Sequence, residues 1–409
     1  MSKRSRRATR LYLGRGVHPA DGWVNVDEVS HVGNQDAGRG RPADPAPSTV
    51  VFTCLHASVA GSSRSLATVL AHLPPQYRRV IAAPRGPVTA FLRERRLAEG
   101  FVTIPSPGRF RSLTRVAAAT SLARWILVHR RSITVVHANG LADLGVVWPG
   151  AWLARIPVVV WSHKPGSIAP RTRRGAVIGR RFVRRLRWVA ASAVARDTLI
   201  EGRLADRDEI QIIENPIDAA DVVGPRASEN GVTVGFLGDA SRRKGFQFLP
   251  DIVAGAGHEG VRWLIFAKPR RSGELAEAWQ ALGSMPNVEV VGRQIDVRAA
   301  YSRCDIVICP SVNESFCRVA AEAMANGIAV VGTDLPALRN LVGNGTAGLL
   351  FPAGDVEAAA EAVRLLVRNP ALRDRLGRRG RESASEYDPV VVAARFADVY
   401  AAADQDAFG

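Results

Sequence analysis
From Ser48 onward, short and almost continuously apolar runs alternate with longer stretches of mixed polarity. Such runs, bounded by glycine, proline and small polar residues, read as strands buried on both faces. The longer stretches read as helices, and their alternation with strands specifies a parallel α/β fold. STVVFTCLHA is the first strand, AGSSRSLATVLAHL a loop and helix, and RRVIAAP the second strand. A helical stretch from Leu113 to His129 leads into the strand ITVVHA, then a helix, then the strand IPVVVWSH over 156–163. A basic helix, the strand RWVAAS and EIQIIENPID over 209–218 close a first domain, 48–218. The pattern lapses over a linker, 219–231, rich in Gly, Pro, Asp and Asn, and resumes over 232–386 as a second α/β domain. The last segment, 387–409, holds a terminal helix from Pro389 to Ala403 and a tail. At 409 residues the chain exceeds one ordinary core and suits two domains.

The most specific pattern lies in the second domain. DIVICPS, from Asp305 to Ser311, reads as a buried strand, and NESFCRVAAEAMANG follows it from Asn313 to Gly327. The latter predicts a helix from about Cys317 to Asn326, closed by Gly327, because glycine suits the left-handed residue that ends helices. Glu314 stands in the turn. Glu322 stands inside the helix among Val319, Ala320, Ala321, Ala323 and Met324, so it is either poorly placed or hydrogen-bonded to something polar, and Arg318, four residues earlier, could pair with it. The helix start at Phe316 to Val319 presents unpaired N–H groups and a partial positive charge. An acidic turn, an anion-ready helix start and a semi-buried Glu suit a sugar joined to a nucleotide diphosphate. For Glu314 alone, a helix cap is the other reading, a role that Asn313 or Ser315 could also fill.

This segment resembles the E-x7-E signature of family 4 glycosyltransferases, which are retaining enzymes of the GT-B fold. VTVGFLGDASRRKGFQFL (232–249), NVEVVGRQIDVRAAYSRCDIVICPS (287–311) and VVGTDLPALRNLVGNGTAGLLFPAGD (330–355) resemble further stretches of that family, in order and at compatible spacing. The resemblance covers roughly 48–405 and is stronger in the second half. It implies two Rossmann-like domains whose parallel sheets face a central cleft, with the acceptor on the first, the donor on the second, and the last helix crossing back. It implies that Glu314 meets donor-sugar hydroxyls and Glu322 the ribose. Gly238, Ser315, Phe316, Cys317, Arg318 and Val319 line the donor site in this reading, and Arg243 and Lys244 neutralise the diphosphate. The common pattern places Arg where Asp239 stands, and in some branches the Arg stands beside the Lys, as Arg243 does. Cys317 occupies a usual glycine. AGSSRS (60–65) matches a glycine-rich loop, with Gly61 and Ser62 approaching donor phosphate or acceptor. His163 ends a strand where the family often carries a cleft-facing His. Lys164 beside it could meet phosphate or only solvent. UDP-sugar is the expected donor, GDP-sugar next, with retention, and with neither metal nor other cofactor. The expected acceptor is a glycan, a lipid-linked intermediate or a small molecule.

Charge changes the picture on one side only. Residues 1–218 hold 34 Lys+Arg against 15 Asp+Glu, a net +19, and residues 219–409 a net −2. An anionic acceptor or anionic surface is implied for the first domain. RTRRGAVIGRRFVRRLRW (171–188) would form a helix with Val177, Phe182, Val183 and Leu186 on a narrow apolar face and Arg180, Arg181, Arg184 and Arg187 around it. It suits the surface of an anionic membrane, an acceptor groove, or simply a solvated face. No recognition module accompanies it, so nucleic acid is not an expected partner. No apolar run is long enough to span a bilayer. Cys54, Cys304, Cys309 and Cys317 show no metal or disulfide spacing and read as buried thiols in a reducing cytoplasm. A cytoplasmic enzyme, peripheral on the inner membrane face, is the resulting expectation. The pairs at 206/208 and 404/406 are not credible metal sites.

Two other function classes stay open on sequence alone. A sugar-nucleotide-binding protein without turnover would fit the departures at Asp239 and Cys317. A nucleic-acid-binding protein would fit only the charge. One stretch of the basic N-terminal arm, 1–47, resembles the first nucleotide-binding turn of SAM-dependent methyltransferases, with Gly14, Gly16 and Asp27 in place. The strands and helices needed to complete that domain do not follow before Ser48, so the segment reads as a remnant or a mobile arm.

Overall fold
A computed structural model of the chain describes residues 48–55, 59, 61–106, 111–218, 231–269, 273, 275–292 and 297–405. The 1–47 arm, most of the 219–231 linker and Asp406 lie outside these residues. The first domain runs β1 (Ser48–Thr53), α1 (Gly61–His72), β2 (Tyr77–Ala83), α2 (Pro87–Glu94), β3 (Gly100–Thr103), α3 (Arg111–His129), β4 (Ile133–Ala138), α4 (Leu141–Ala154), β5 (Val158–Ser162), α5 (Pro170–Phe182), β6 (Leu186–Ala190), α6 (Ala193–Glu201) and β7 (Ile210–Ile212). Its strands are all parallel, in the order β3-β2-β1-β4-β5-β6-β7. The order reverses between β1 and β4, and a crevice opens beyond the carboxyl ends of strands at such a point.

The second domain repeats the plan. It runs β8 (Val232–Leu237), α7 (Leu249–Ala256), β9 (Val261–Phe266), α8 (Ala276–Gly283), β10 (Val288–Val290), α9 (Val297–Tyr301), β11 (Ile306–Cys309), α10 (Arg318–Ala325), β12 (Ala329–Thr333), α11 (Pro336–Leu341), β13 (Leu349–Phe351), α12 (Val356–Arg368) and α13 (Pro370–Ala384). The parallel order β10-β9-β8-β11-β12-β13 reverses between β8 and β11, so the turns after these two strands flank its crevice.

Helices cover both faces of each sheet, which is why the strands read as unbroken apolar runs. One face of the first sheet packs Phe52, Leu66 and Leu70 against Phe396 and Tyr400 of α14 (Pro389–Gln405). The other packs Leu122, Ile126, Val147 and Leu199 of the α3–α6 layer. Thus α14 crosses back from the second domain and becomes part of the first core. The Tyr400 hydroxyl meets His137 Nδ1 at 2.8 Å, and the Tyr77 hydroxyl donates to the Ala397 carbonyl at 3.0 Å. His137 is wholly buried. Desolvation, then the nearby His163, hold its pKa down at about 3, so it is neutral in the folded chain.

The 171–188 segment departs from the expected single helix. Helix α5 stops at Phe182, and Leu186 and Arg187 belong to β6, paired with Val158 and Val159 of β5. The buried side of α5 is Ala176 and Gly179, with Gly179 lying against Leu144 of α4, whereas Val177 and Phe182 face solvent. A period-two alternation, with Trp188 in and Arg187 out, takes over after Phe182.

Candidate functional site
The site forms where the carboxyl ends of the two sheets meet. After β8 the chain turns at Gly238, whose φ is 134°, leaves Asp239 exposed, and makes a tight 3-10 turn over Arg242–Lys244. Gly245 closes this turn at φ 71°, and a Cβ there would lie 1.7 Å from the Pro310 carbonyl oxygen. Only glycine lets the turn press against the end of β11. That contact fixes the cations: the Val312 N–H donates to the Arg243 carbonyl at 2.9 Å, and Arg243 Nη1 donates to the Asn313 carbonyl at 3.3 Å.

Lys244 Nζ donates to Glu314 Oε1, which also accepts from Ser311 Oγ at 2.9 Å, and Arg243 Nη1 stands 3.5 Å from Glu314 Oε2. The Glu314 side chain is only 6% exposed. Burial works against the Lys244 charge, but Cys317 and the Glu314 carboxylate outweigh it, and the Lys244 pKa stands above the ordinary lysine value. An ammonium has three protons, so Lys244 can hold Glu314 and still donate to an anion.

Helix α10 begins one residue later than the sequence suggests. Cys317 is its N-cap, in the left-handed region at φ 59°, and Ala320 and Ala321 N–H both donate to the Cys317 carbonyl. Cysteine at a usual glycine thus keeps the glycine-type backbone. Its thiol is buried beside Cys309, whose own thiol is pushed well above the ordinary range by the hydrogen bond to Cys317 and then by burial. The Phe316 ring is buried and packs edge-on against Tyr387, so only its backbone is left to face a ligand at the start of α10.

Glu322 is 3% exposed, and each of its carboxylate oxygens accepts one hydrogen bond. Arg318 Nε donates to Oε1 at 2.6 Å, and the Tyr301 hydroxyl donates to Oε2 at 2.6 Å. The same hydroxyl lies 3.4 Å from the Val319 carbonyl oxygen. Arg318 then crosses to the first domain, where Nη1 donates to Ser65 Oγ at 3.1 Å and to the Pro216 carbonyl at 2.9 Å. A second bridge joins Ser315 Oγ and Ser192 Oγ at 3.1 Å. The two domains are therefore latched over the start of α10.

On the first-domain side, Gly61 opens α1 with nothing within 4 Å of where a Cβ would stand, and Ser65 donates to its carbonyl. The Ser62 carbonyl accepts from Asn139 Nδ2 at 3.4 Å. His163 Nε2 lies 2.9 Å from Asn139 Oδ1, and Nδ1 lies 3.2 Å from Asn215 Oδ1. Behind them the buried Asp143 accepts from Thr53 Oγ1 at 3.0 Å and from the Leu55 N–H at 3.4 Å, fixing the exit of β1. Lys164 is exposed and joins none of these bonds.

The structure thus gathers Arg243, Lys244, Glu314 and the α10 start on one wall, with Glu322 beneath it, and places Gly61, Ser62 and His163 at the carboxyl end of the facing sheet. Sequence reasoning did not single out Asn139, Asn215, Ser192 or Tyr301. The first two follow apolar strands, in HAN and IIEN, and a polar residue at a strand end was the available signal. Among the described residues, no group of three or more His, Cys, Asp or Glu side chains stands together as metal ligands.

Residues 59–221 match the family model described as Glycosyltransferase Family 4, and residues 231–369 match that described as Glycosyl transferases group 1. A phosphatidyl-myo-inositol mannosyltransferase of Mycobacterium leprae is 35% identical over 222 residues, which is 52% of this chain. The match spans 58% of that relative, little more than half its length. A D-inositol 3-phosphate glycosyltransferase of Corynebacterium kroppenstedtii is 26% identical over 323 residues, 70% of each chain. Among solved structures, Anabaena HepE in complex with UDP and glucose superposes with a TM-score of 0.73 at 20% identity, covering 87% of this chain and 100% of its own. Sucrose-phosphate synthase from Thermosynechococcus elongatus superposes at 0.64 and 16% identity, over 86% and 98% of the two chains. The architecture is therefore GT-B, and with successive family models matching both of its halves, the chain belongs to the glycosyltransferases of the family 4 and group 1 type.

Proposed function
We propose that this protein transfers a sugar from a nucleotide-sugar donor to a glycan, lipid-linked or small-molecule acceptor, with retention of configuration and without a metal. The observation that carries the reading is the Arg243–Lys244 pair, held by Gly245 against Pro310 and bonded to Asn313 and Glu314 in the turn that leads into α10. A diphosphate leaving group accumulates charge as the glycosidic bond breaks, and preorganised cations and backbone N–H groups stabilise that charge. Glu314 orients Lys244 and reaches sugar hydroxyls. Glu322, with acceptor capacity beyond its bonds to Arg318 and Tyr301, takes the ribose hydroxyls. His163, oriented by Asn139 and Asn215, faces the acceptor side. Arg243 and Lys244 stabilise the leaving phosphate while it accepts the acceptor proton, so attack occurs on the face that the phosphate leaves.

A UDP-sugar is the first candidate, supported by UDP in a fold neighbour, and a GDP-sugar the second. The same reading sets the work in the cytoplasm, where an anionic acceptor meets the basic first domain. A thermal-shift screen against UDP-, GDP-, ADP- and dTDP-sugars tests it, because a ligand at about 100 times its Kd adds about 2.7 kcal/mol to apparent stability. A selective shift with one nucleotide supports the reading. No shift with any of them overturns it, and a shift without turnover points to a binding protein.

A further inference from the structure
The α3–α4–α5 layer of the first domain combines two features that occur together nowhere else among the described residues. From Arg111 to Arg196 the only carboxylate in the sequence is Asp143, and it is fully buried. The same stretch carries fifteen arginines and one lysine. The outer side of the layer therefore presents basic residues with no carboxylate of its own to offset them. It also bears every large apolar side chain that the described part of the first domain exposes: Leu113, Val116 and Val128 on α3, Trp152 and Leu153 on α4, and Val177 and Phe182 on α5.

Their arrangement is ordered. The helices pack side by side and parallel, with Gly145 of α4 against Gly175 of α5 and Gly150 against Ala123 of α3. On α3 the exposed positions Leu113, Val116, Thr120, Arg124 and Val128 follow helical spacing, so they form one outward stripe. At the far ends of α4 and α5, Phe182 stacks on Trp148 with ring centroids 5.3 Å apart and meets Trp152 edge-on at 5.5 Å. This aromatic corner stays open to solvent, with Trp152 45% and Phe182 41% exposed. Exposed arginines follow the same ends of the three helices, namely Arg130 and Arg131 after α3, Arg155 after α4, Arg181 in the last turn of α5 and Arg184 just beyond it. The face stops at Arg180, which is bound to Glu209 at 3.1 Å and to the Leu204 carbonyl.

Aromatic side chains that are half in and half out, aliphatic side chains at helical spacing and arginines without acids are what an interfacial lipid surface selects. We infer that this face lies on an anionic lipid bilayer, with the Trp152–Leu153–Phe182 corner inserted among headgroups and the arginines on lipid phosphates. The unit is the three-helix layer, not a single helix through 171–188. In parallel α/β domains the helices run back from the cleft edge, so the corner sits at the foot of the domain and the α3 stripe climbs about 25 Å toward the cleft. Lying flat on this layer, the protein would bring the mouth of its cleft near the membrane plane. The surface is separate from the donor site, so the inference stands or falls independently of the donor reading.

Co-sedimentation with vesicles tests it. One set is phosphatidylcholine alone and the other contains about a third phosphatidylglycerol. The protein should partition onto the anionic set and be released by about 0.5 M salt. Replacing Arg130, Arg131, Arg181 and Arg184 with Gln should cut partitioning at least about a hundredfold. Leu153→Ser with Phe182→Ser should cut it about tenfold. The four arginines and Leu153 are exposed, so the four-Gln variant should keep its melting temperature. Phe182→Ser loses its packing on Trp148 and will lower it, so a cooperative melt and retained nucleotide binding report an intact fold there. Replacing Arg375, Arg378 and Arg379 of the second domain with Gln should leave partitioning unchanged, which separates this face from net charge. The inference is overturned by equal partitioning onto both vesicle sets, or by four-Gln partitioning like wild type. Self-association abolished by the same variants without vesicle binding would assign the face to a second copy. Binding to duplex DNA with no vesicle binding would make it a polyanion site.

Discussion

Lys244→Ala tests the electrostatic logic of the site because Lys244 has two roles that the structure makes separable. Its ammonium neutralises Glu314, and in the proposed function it also meets the donor diphosphate. A charge-assisted hydrogen bond contributes on the order of 1.5–3 kcal/mol, so its loss should weaken nucleotide binding about ten- to a hundredfold. Stability should fall as well. Breaking a buried ion pair costs about 3–5 kcal/mol when the remaining charge has no other partner. Here Ser311 still donates to Glu314 at 2.9 Å and Arg243 stands 3.5 Å away, so the loss should be smaller, about 1–3 kcal/mol. Adding Glu314→Gln removes the orphaned charge. The double variant should recover most of the stability but not the lost affinity, because the diphosphate still lacks its cation. Calorimetric titration with the selected nucleotide reads affinity, and urea denaturation reads stability. A folded Lys244→Ala protein with wild-type affinity would refute the assignment, and recovery of affinity in the double variant would show that Lys244 acts only through Glu314.

Three further outcomes follow from the geometry. Gly245→Ala should destabilise the second domain by at least about 2 kcal/mol and abolish nucleotide binding, since its Cβ would collide with the Pro310 carbonyl at a positive φ; a melting curve like wild type would show that the turn can move away from β11. Arg318→Ala should remove the latch to Ser65 and Pro216 and leave the Glu322 carboxylate short of a partner, raising donor KM about tenfold, whereas Ser65→Ala should raise it only slightly; equal effects would place the role in the latch and not in Glu322. His137 has its folded pKa depressed to about 3, so below the unfolded value near 6.5 the unfolded chain binds a proton that the folded chain refuses. Stability is fully present above pH 6.5 and is lost as pH falls toward 3, about 2 kcal/mol by pH 5 from this group, and His137→Phe should flatten that slope in denaturation at pH 7 and 5.

The legible parts of the fold were those that burial imposes on the sequence directly. DIVICPS forms β11 because both faces of that strand are covered, leaving no polar alternation to confuse the reading. The 3.6-residue period of 318–325 likewise gives α10 within a residue of its expected start. The 171–188 segment was misread because apolar positions at 182, 183 and 186 satisfy a helical period, while the strand that begins at Leu186 is decided by pairing with β5, a contact remote in sequence. In the site, the signature residues Glu314, Glu322, Arg243 and Lys244 lie close together in sequence or follow a strand. Asn139 and Asn215 come from separate strand ends and converge on His163 only after the sheet is assembled. Tyr301 reaches Glu322 from α9, and the Ser192–Ser315 bridge joins residues of different domains; neither pairing leaves a local trace.

The central claim is that the crevice breaks a nucleotide-sugar bond, and nucleotide release measured with the donor picked out by thermal shift tests it most directly. The account predicts slow release with water alone, faster release with a competent acceptor, near-complete loss in Lys244→Ala, and a product that NMR shows to retain the anomeric configuration of the donor. Tight donor binding with no release under any acceptor condition, or a product of inverted configuration, would contradict it.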